Sequence, residues 1–204
     1  ENAKDKQVKI LYANVTLYNE AAQQFVLEHD PDVFLLGEAH LGKEKLLKEM
    51  KTWSHNGYVA RGAVAEPSPS SETGTRGGAV GGIKKHLRQL PLPSDQWGNG
   101  QFWSVNSDLV GAVLSLQGCD VVIFGSYHRG GPNASQFEAV AEATDRGRVP
   151  FIWLADFNTK PQSLGMDWWL ESLKAELPEA WADRPSVGLA RLTRLRYFAV
   201  KTPI

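Results

Sequence analysis

Apolar and polar positions alternate in blocks along this chain, and four apolar blocks stop at polar residues. The blocks are 8–15, 33–36, 121–124 and 151–154, and the polar residues at their ends are Asn14, Glu38, Tyr127 with His128, and Asp156 with Asn158. Short apolar runs predict buried strands, which in layered α/β proteins present polar groups at their carboxyl ends. We therefore expect one polar, metal-binding site where these strands end.

Helical and loop patterns fill the intervals between these strands. Helices are predicted at 19–28, at 43–53 with Leu46, Leu47 and Met50 on one face, from 133 or 134 to 146, and from Pro161 onward. Further strands are predicted at 79–83, 101–105, 110–116 and 196–200, and a loop at 66–78. Strands alternating with helices around a run of consecutive strands predict an α/β fold with antiparallel pairing in its middle.

Length and composition favour one domain, residues 1–204, with 42% apolar residues for its core. The net charge of −1 gives no global indication of nucleic-acid binding. Basic residues nevertheless gather in two clusters: Lys84, Lys85, His86 and Arg88, and Arg184, Arg191, Arg194, Arg196 and Lys201. We interpret the first cluster as a solvated face and leave the second open between that role and phosphate contact.

The single cysteine, Cys119, excludes an internal disulfide and a cysteine-based zinc site. No apolar run approaches the roughly 20 residues that a membrane-spanning helix needs, and Glu1 is not followed by the apolar region of a signal peptide. We therefore expect a soluble, intracellular protein without a membrane span, and the compartment stays open.

Six short motifs follow one another in a characteristic order over most of the chain. They are Tyr12-Ala-Asn14-Val, Gly37-Glu38-Ala-His40, Arg76-Gly-Gly-Ala-Val-Gly-Gly82, Ser126-Tyr127-His128-Arg129, Ala155-Asp156-Phe-Asn158 and Leu195-Arg196-Tyr197-Phe198. This order resembles the endonuclease/exonuclease/phosphatase superfamily, especially the apurinic-endonuclease-like nucleases of non-LTR retroelements. The resemblance implies a four-layered α/β sandwich, with two mixed, largely antiparallel sheets between helices. It also implies hydrolysis of DNA phosphodiesters with Mg²⁺, or with Mn²⁺ as the alternative ion.

The resemblance implies a role for each site residue. Glu38 and Asn14 would hold the metal ion, which suits Mg²⁺ because that ion prefers a few oxygen ligands and several waters. Asp156 would stand beside the attacking water or the leaving group, while Asn158 and Tyr127 would hydrogen-bond the phosphate. The further phosphate-binding candidates are His128, Arg129 and Arg196.

Each of these residues also has a structural alternative. Glu38 could cap a strand end or pair with an arginine, Asp156 and Asn158 could open an Asx turn, and Tyr127 could be a core residue. His40 and His128 are not favoured as substitute general bases, because such a base must reach the water from another strand end.

Two positions depart from the pattern of the family. Arg196 stands where the family has an Asp, and Thr16 stands where it has a second acid. The family's final Ser-Asp-His motif is also not found before Ile204, which predicts a fragment or a degenerate nuclease. Arg196 could pair with Asp156 or Glu38 and displace the cation, or it could bind a phosphate and preserve nucleic-acid binding without cleavage.

Three functions follow from the sequence, and whether the chain is an enzyme stays open among them. The leading one is a metal-dependent phosphodiester hydrolase of the retroelement endonuclease type, acting on DNA with impaired activity. The second is a noncatalytic pseudoenzyme domain that serves as a binding or structural subunit of a larger protein assembly. The third is a phosphatase of the same fold acting on a small phosphoester.

Overall fold

The computed structural model describes residues 8–70, 74–90, 102–116, 119–129, 133–144, 150–156, 187–191 and 198–201. Its elements in chain order are β1 (Lys9–Asn14), α1 (Glu20–His29), β2 (Val33–Gly37), α2 (Lys43–His55), β3 (Tyr58–Ala63), β4 (Glu66–Pro67), β5 (Thr75–Arg76), β6 (Ala79–Lys84), β7 (Gln89–Leu90), β8 (Phe102–Asn106), β9 (Leu109–Leu116), β10 (Cys119–Tyr127), α3 (Ala134–Ala143), β11 (Phe151–Asp156), β12 (Val187–Arg191) and β13 (Phe198–Lys201).

These strands form two large sheets and one small hairpin. The first sheet has the order β12-β1-β2-β6-β3, in which β1 and β2 are parallel and the other neighbours are antiparallel. The second has the order β13-β11-β10-β9-β7, with β8 also paired to β9 and with β10, β11 and β13 mutually parallel. Strands β4 and β5 pair with each other. The predicted α/β class with mixed sheets is confirmed, whereas the four-layered arrangement stays a prediction.

Three apolar clusters hold these elements together, and the two-residue repeat of the strands separates them. Along β2, Val33 and Leu35 belong to the cluster between the two sheets, while Phe34 and Leu36 belong to the cluster on α1 and α2. Along β10, β11 and α3, a third cluster covers the outer face of the second sheet; it includes Val122, Phe124, Phe137, Val140 and Trp153. Each central strand is therefore buried on both faces, as its continuous apolar run predicts.

The two predicted helices of the first half are present. Helix α1 begins after Asn19, whose side chain accepts a hydrogen bond from the Ala22 backbone N–H at 3.0 Å. Helix α2 runs two residues beyond its predicted end at Trp53 and buries Leu46 and Trp53. Placing Leu47 on the buried face was wrong, since it is 49% exposed. On a helix, the buried stripe passes from Leu46 to Trp53, seven residues on, and leaves Leu47 about 100° away.

The other differences between the predicted and the observed elements concern strands and one hairpin. The predicted loop 66–78 contains the hairpin of β4 and β5, and strands β3, β7 and β12 were not predicted. The predicted helix from Pro161 lies outside the described residues. Within the described residues, no helix combines the length and apolar composition that crossing a membrane requires.

The two sheets approach each other closely where β2 faces β10. A Cβ atom at Gly125 would lie 2.7 Å from the Cβ of Leu35, a distance that real Cβ contacts do not reach. Glycine at this position is therefore required by the spacing of the sheets.

We expect Gly125→Ala to lower the free energy of unfolding by about 1–3 kcal/mol, because the added methyl group forces the sheets apart. Urea unfolding measures this loss. The matched control is Gly42→Ser, since a Cβ added at Gly42 meets no described atom within 4 Å beyond its chain neighbours, and serine is at least as favourable as glycine at the N-cap of α2. The control should change stability by less than about 0.5 kcal/mol. Equal stabilities for the two variants would contradict the close approach.

Candidate active site

Four strands bring their last inward-facing residues to one edge of the sheet pair. The inward series are Ile10, Tyr12 and Asn14 on β1; Val33, Leu35 and Gly37 on β2; Ile123, Gly125 and Tyr127 on β10; and Ile152, Leu154 and Asp156 on β11. In the strand registers, Asn14 pairs with Gly37 and Tyr127 pairs with Asp156. Glu38 directly follows the partner of Asn14. The structure thus brings together Asn14, Glu38, Tyr127 and Asp156, as the sequence predicts.

Asn14 and Asp156 touch across the two sheets. The Asn14 Nδ2 group donates a hydrogen bond to Asp156 Oδ2 at 3.1 Å, and Asp156 is fully buried. The other end of the amide is also engaged, because Asn14 Oδ1 accepts from the Thr16 backbone N–H at 3.0 Å. The amide is therefore held with its oxygen toward β1 and its nitrogen toward β11.

The Tyr12 hydroxyl forms a second contact between the sheets. It donates to the Ser126 carbonyl oxygen at 2.6 Å and accepts from the Asp156 backbone N–H at 3.1 Å. Burial, followed by the negative charge of Asp156, raises the pKa of Tyr12 far above its usual value. The hydroxyl therefore keeps its proton. The sequence motifs assign Tyr12 no role, although its place two residues before Asn14 puts both side chains on one face of β1.

The backbone is strained where β1 and β2 end. Thr16, Glu38 and His40 have φ angles of 55°, 55° and 54°, in the left-handed region that side-chain-bearing residues rarely adopt. Each such residue costs about 1–3 kcal/mol, and such residues cluster at functional sites. Of the four such residues in the described part of the chain, these three lie on both sides of the Asn14 and Gly37 pair, and the fourth, Asp30, is the C-cap of α1. The strain therefore makes this edge the candidate site.

Glu38 is half-buried, and its carboxylate makes no hydrogen bond or ion pair with another described residue. No group of three or more His, Cys, Asp or Glu side chains among the described residues is arranged to hold a metal ion. Glu38 and Asn14 Oδ1 nevertheless supply two oxygen donors from adjacent strands. This donor set fits Mg²⁺, which keeps several waters and takes only one or two protein carboxylates.

Tyr127 is half-buried beside Gly37, and a Cβ atom added at Gly37 would lie 3.6 Å from the Cβ of Tyr127. The Tyr127 backbone N–H donates to the Asp108 carbonyl at 2.9 Å, and its carbonyl accepts from Gln136 Nε2 at 3.3 Å. Tyr127 therefore stands at the same edge as Asp156 with its backbone held on both sides.

His128 is oriented away from this edge and lies fully buried against α3. Its Nδ1 accepts from the Asn133 backbone N–H at 3.3 Å, so that Nε2 carries the proton and donates to Ser126 Oγ at 3.0 Å. Trp153 Nε1 donates to the same Oγ at 2.8 Å. Burial lowers the pKa of His128 to about 3. A neutral imidazole in this position has the role of a core residue, and the placement gives its predicted phosphate contact no support.

The other predicted phosphate contacts differ in placement. Arg129 is bonded to acidic and hydroxyl side chains at the carboxyl end of β10. Asn158 and Arg196 lie outside the described residues. His40, two residues after Glu38, has its Nδ1 2.6 Å from the Thr75 carbonyl oxygen.

The first basic cluster lies at the opposite end of the first sheet. Lys84 pairs with Asp30 at 2.9 Å and with Asp32 at 3.8 Å, and His86 Nε2 is 3.9 Å from Asp32. These carboxylates precede β2, whereas Glu38 follows it. Two of the four basic residues of the cluster therefore lie beside acids, and Lys85, His86 and Arg88 are exposed, which agrees with its interpretation as a solvated face.

No family model and no curated protein matches this chain in sequence. Its structure is similar to the human Nocturnin catalytic domain, with a TM-score of 0.56, 14% identity and coverage of 82% of this chain and 68% of that one. It is also similar to the AP endonuclease LMAP from Leishmania major, with a TM-score of 0.54, 16% identity and coverage of 78% of this chain and 57% of that one.

A third similar structure is the endonuclease domain of TRAS1, a telomere-specific non-LTR retrotransposon. Its TM-score is 0.54 at 15% identity, with coverage of 83% of this chain and 72% of that one. These neighbours belong to the endonuclease/exonuclease/phosphatase superfamily. The chain therefore has the endonuclease/exonuclease/phosphatase fold, and the resemblance drawn from its six motifs is confirmed at the level of fold.

We expect Tyr12→Phe to lower the free energy of unfolding by about 1–3 kcal/mol, because it leaves the Ser126 carbonyl and the Asp156 N–H without their shared partner. Tyr58→Phe is the matched control, since the Tyr58 hydroxyl is also buried but, among the described residues, donates only to the Pro31 carbonyl. Urea unfolding should show the larger loss for Tyr12→Phe. An equal or smaller loss would contradict the bridging role.

The lowered pKa of His128 also predicts that stability depends on pH. Its pKa is about 3 when folded, against an ordinary value of 6.5, so the unfolded chain binds the proton first as the pH falls. Above pH 6.5 His128 is neutral in the folded and the unfolded chain, and its contribution to the free energy of unfolding is complete. As the pH falls from 6.5 toward 3, protonation of the unfolded chain lowers the free energy of unfolding by about 1.4 kcal/mol per pH unit.

In His128→Gln this part of the pH dependence of the unfolding free energy should vanish, while the part that comes from the carboxylates remains. Urea unfolding of both proteins at about pH 7.5 and pH 5 should show the wild type losing roughly 2 kcal/mol more than the variant. Parallel losses would show that the unfolded and folded chains protonate His128 alike.

Proposed function

We propose that this chain is a metal-dependent phosphodiester hydrolase that acts on DNA in the manner of a retroelement endonuclease. The observation that carries the proposal is the 3.1 Å hydrogen bond between Asn14 and Asp156, which joins the two sheets beside Glu38. A buried acid, an oriented amide and a carboxylate that no described residue engages meet at one strained edge. This combination of groups is more typical of an active site than of a purely structural contact.

Glu38 and Asn14 would hold a Mg²⁺ ion, or a Mn²⁺ ion in its place. When bound, the ion would neutralise phosphate charge and lower the pKa of a coordinated water. The carboxylate of Glu38 has no partner among the described residues, and the amide oxygen of Asn14 is fixed by its bond from Thr16. The protein therefore supplies one charged ligand and one neutral ligand in a preset orientation.

Asp156 would orient the attacking water or assist the leaving group. The Asn14 amide fixes its Oδ2, and the Tyr12 hydroxyl fixes its backbone, so that the carboxylate has little freedom to turn. Tyr127 and Asn158 would then hydrogen-bond the phosphate as charge develops on it. Arg196 is kept in the proposal as a further phosphate contact.

DNA is favoured over a small phosphoester by the neighbours in fold. Two of the three similar structures are named as endonucleases, the AP endonuclease from Leishmania major and the endonuclease domain of TRAS1. At 14–16% identity they share the fold, and their named activities support the substrate class without fixing it. A small-phosphoester phosphatase is the third function that the same experiment can distinguish.

One observation favours a noncatalytic domain as the second candidate. Both polar ends of the Asn14 side chain are engaged by the protein itself, with Asp156 taking one and Thr16 the other. An edge closed in this way could serve as a structural unit that binds a protein or nucleic-acid partner without cleaving it.

Calorimetric titration of Mg²⁺ tests the proposal, with Glu38→Gln as the decisive variant. We expect the variant to weaken Mg²⁺ binding roughly tenfold or more, because it removes the one charged ligand. Glu142→Gln is the matched control: it removes the same charge from an exposed position on α3, and its affinity should equal that of the wild type.

Cleavage assays on intact DNA, abasic DNA and a small phosphomonoester then assign the substrate. Loss of DNA cleavage in Glu38→Gln and Asp156→Asn, with retention in Glu142→Gln, is the expected result. Cleavage of the phosphomonoester alone would favour the phosphatase. The absence of Mg²⁺ binding at millimolar concentration would overturn the hydrolase and leave the noncatalytic domain.

A further inference from the structure

The guanidinium group of Arg129 lies between the second sheet and the hairpin of β4 and β5. Its Nη2 donates to Ser107 Oγ and to Asp108 Oδ1, both at 2.8 Å. Its Nη1 is 3.5 Å from Glu66 Oε2 on β4, and Glu66 also pairs with Arg76 on β5 at 3.3 Å. Arg129 therefore connects the turn before β9 with the hairpin that leads into the first sheet.

The turn at Gly77 packs directly on this guanidinium. A Cβ atom at Gly77 would collide with Arg129 Nη2 and with Asp108 Oδ1, and the φ angle of Gly77 is 64°. The positive φ angle favours glycine here, because a side chain would strain the backbone, and an added Cβ would also displace the ends of the Arg129 and Asp108 side chains. Arg129 and the turn at Gly77 are therefore in direct contact.

The same turn holds the backbone that follows Glu38. The His40 N–H donates to the Gly77 carbonyl at 2.8 Å, and the Ala39 N–H donates to the Gly78 carbonyl at 2.9 Å. These two bonds fix the segment in which Glu38 and His40 adopt left-handed φ angles. A continuous chain of contacts therefore runs from Arg129 to the backbone of Glu38.

The charges around Arg129 are mutually compensated. Burial raises the pKa of Asp108, while the hydrogen bond and the charge of Arg129 oppose that rise. Burial also acts to raise the pKa of Glu66, but the hydrogen bond with Ser107 and the charges of Arg129 and Arg76 outweigh it and lower that pKa. The donors that a phosphate would need are thus already directed to protein oxygens.

We propose that Arg129 is a positioning residue, which ties the turn after Glu38 to the second sheet and so sets Glu38 relative to Asp156. This role rests on the proposed metal site, since the position of Glu38 matters there for binding the ion. It replaces phosphate binding for Arg129, because Ser107 and Asp108 occupy Nη2 and Glu66 faces Nη1. The buried Nε of Arg129 has no hydrogen-bond partner within the described residues.

Hydrogen exchange and Mg²⁺ titration of Arg129→Gln test this role together. The amides of Ala39 and His40 should exchange roughly tenfold faster than in the wild type, because their acceptors at Gly78 and Gly77 are no longer held. The reference amide is that of Lys84, which bonds to the Asp32 carbonyl at the far end of the sheet and should keep its rate.

Mg²⁺ affinity should fall by about tenfold in Arg129→Gln and recover partly in Arg129→Lys, which keeps the charge but not the fork of donors. The lysine variant also serves if the glutamine variant folds poorly. Arg61→Gln is the matched control, since Arg61 is exposed on β3 and its side chain hydrogen-bonds only to the Ala60 carbonyl among the described residues. It should change neither measurement.

The two readouts separate this inference from the proposed function. Unchanged exchange at Ala39 and His40 would show that Arg129 does not hold the turn at Gly77. Faster exchange with unchanged Mg²⁺ affinity would show that Arg129 does not position Glu38. If the wild type itself bound no Mg²⁺, the proposed metal site would fail and with it the positioning of a metal ligand. The exchange rates would then still decide whether Arg129 holds the turn.

Discussion

The buried hydroxyl of Tyr12 is the interaction on which the rest of this structure depends. A hydroxyl enclosed by two sheets is costly unless it is hydrogen-bonded, and this one finds both partners, Ser126 and Asp156, in the opposite sheet. Apolar packing between sheets tolerates sliding, because it has no direction. The two directed bonds of Tyr12 remove that freedom, and Asn14, two residues further on the same face, then meets Asp156.

The polar edge formed by these contacts lowers the stability of the fold. It holds a fully buried carboxylate on Asp156 and left-handed backbone at Thr16, Glu38 and His40. None of these features adds apolar contact, and each one costs free energy that the three apolar clusters must offset. A fold selected for stability alone would replace them with an apolar strand end. Their concentration at one edge is the physical argument for chemistry there, independent of any resemblance.

The sequence predicts the parts of this structure that depend on local pattern. Strands β1, β2, β10 and β11 are continuous apolar runs, so both the strands and the polar residues at their ends were predicted from residue order alone. Strand β3 was missed because Arg61 and Gly62 interrupt its apolar pattern. The role of Tyr12 was missed because its partner Ser126 lies 114 residues away, and only the stacking of the sheets brings them together.

The motif Ser126 to Arg129 shows why residue order does not assign roles within a strand. Successive side chains of a strand face opposite sides, so Tyr127 stands with Gly125 on the face toward the first sheet, while Ser126 and His128 face Trp153 on the outer side. The phosphate proposed to bind at the shared edge would therefore meet the side of the strand that carries Tyr127. Shifting β10 by one residue would bring His128 to that side, but it would also place Gly125 against α3 and remove the close approach to Leu35.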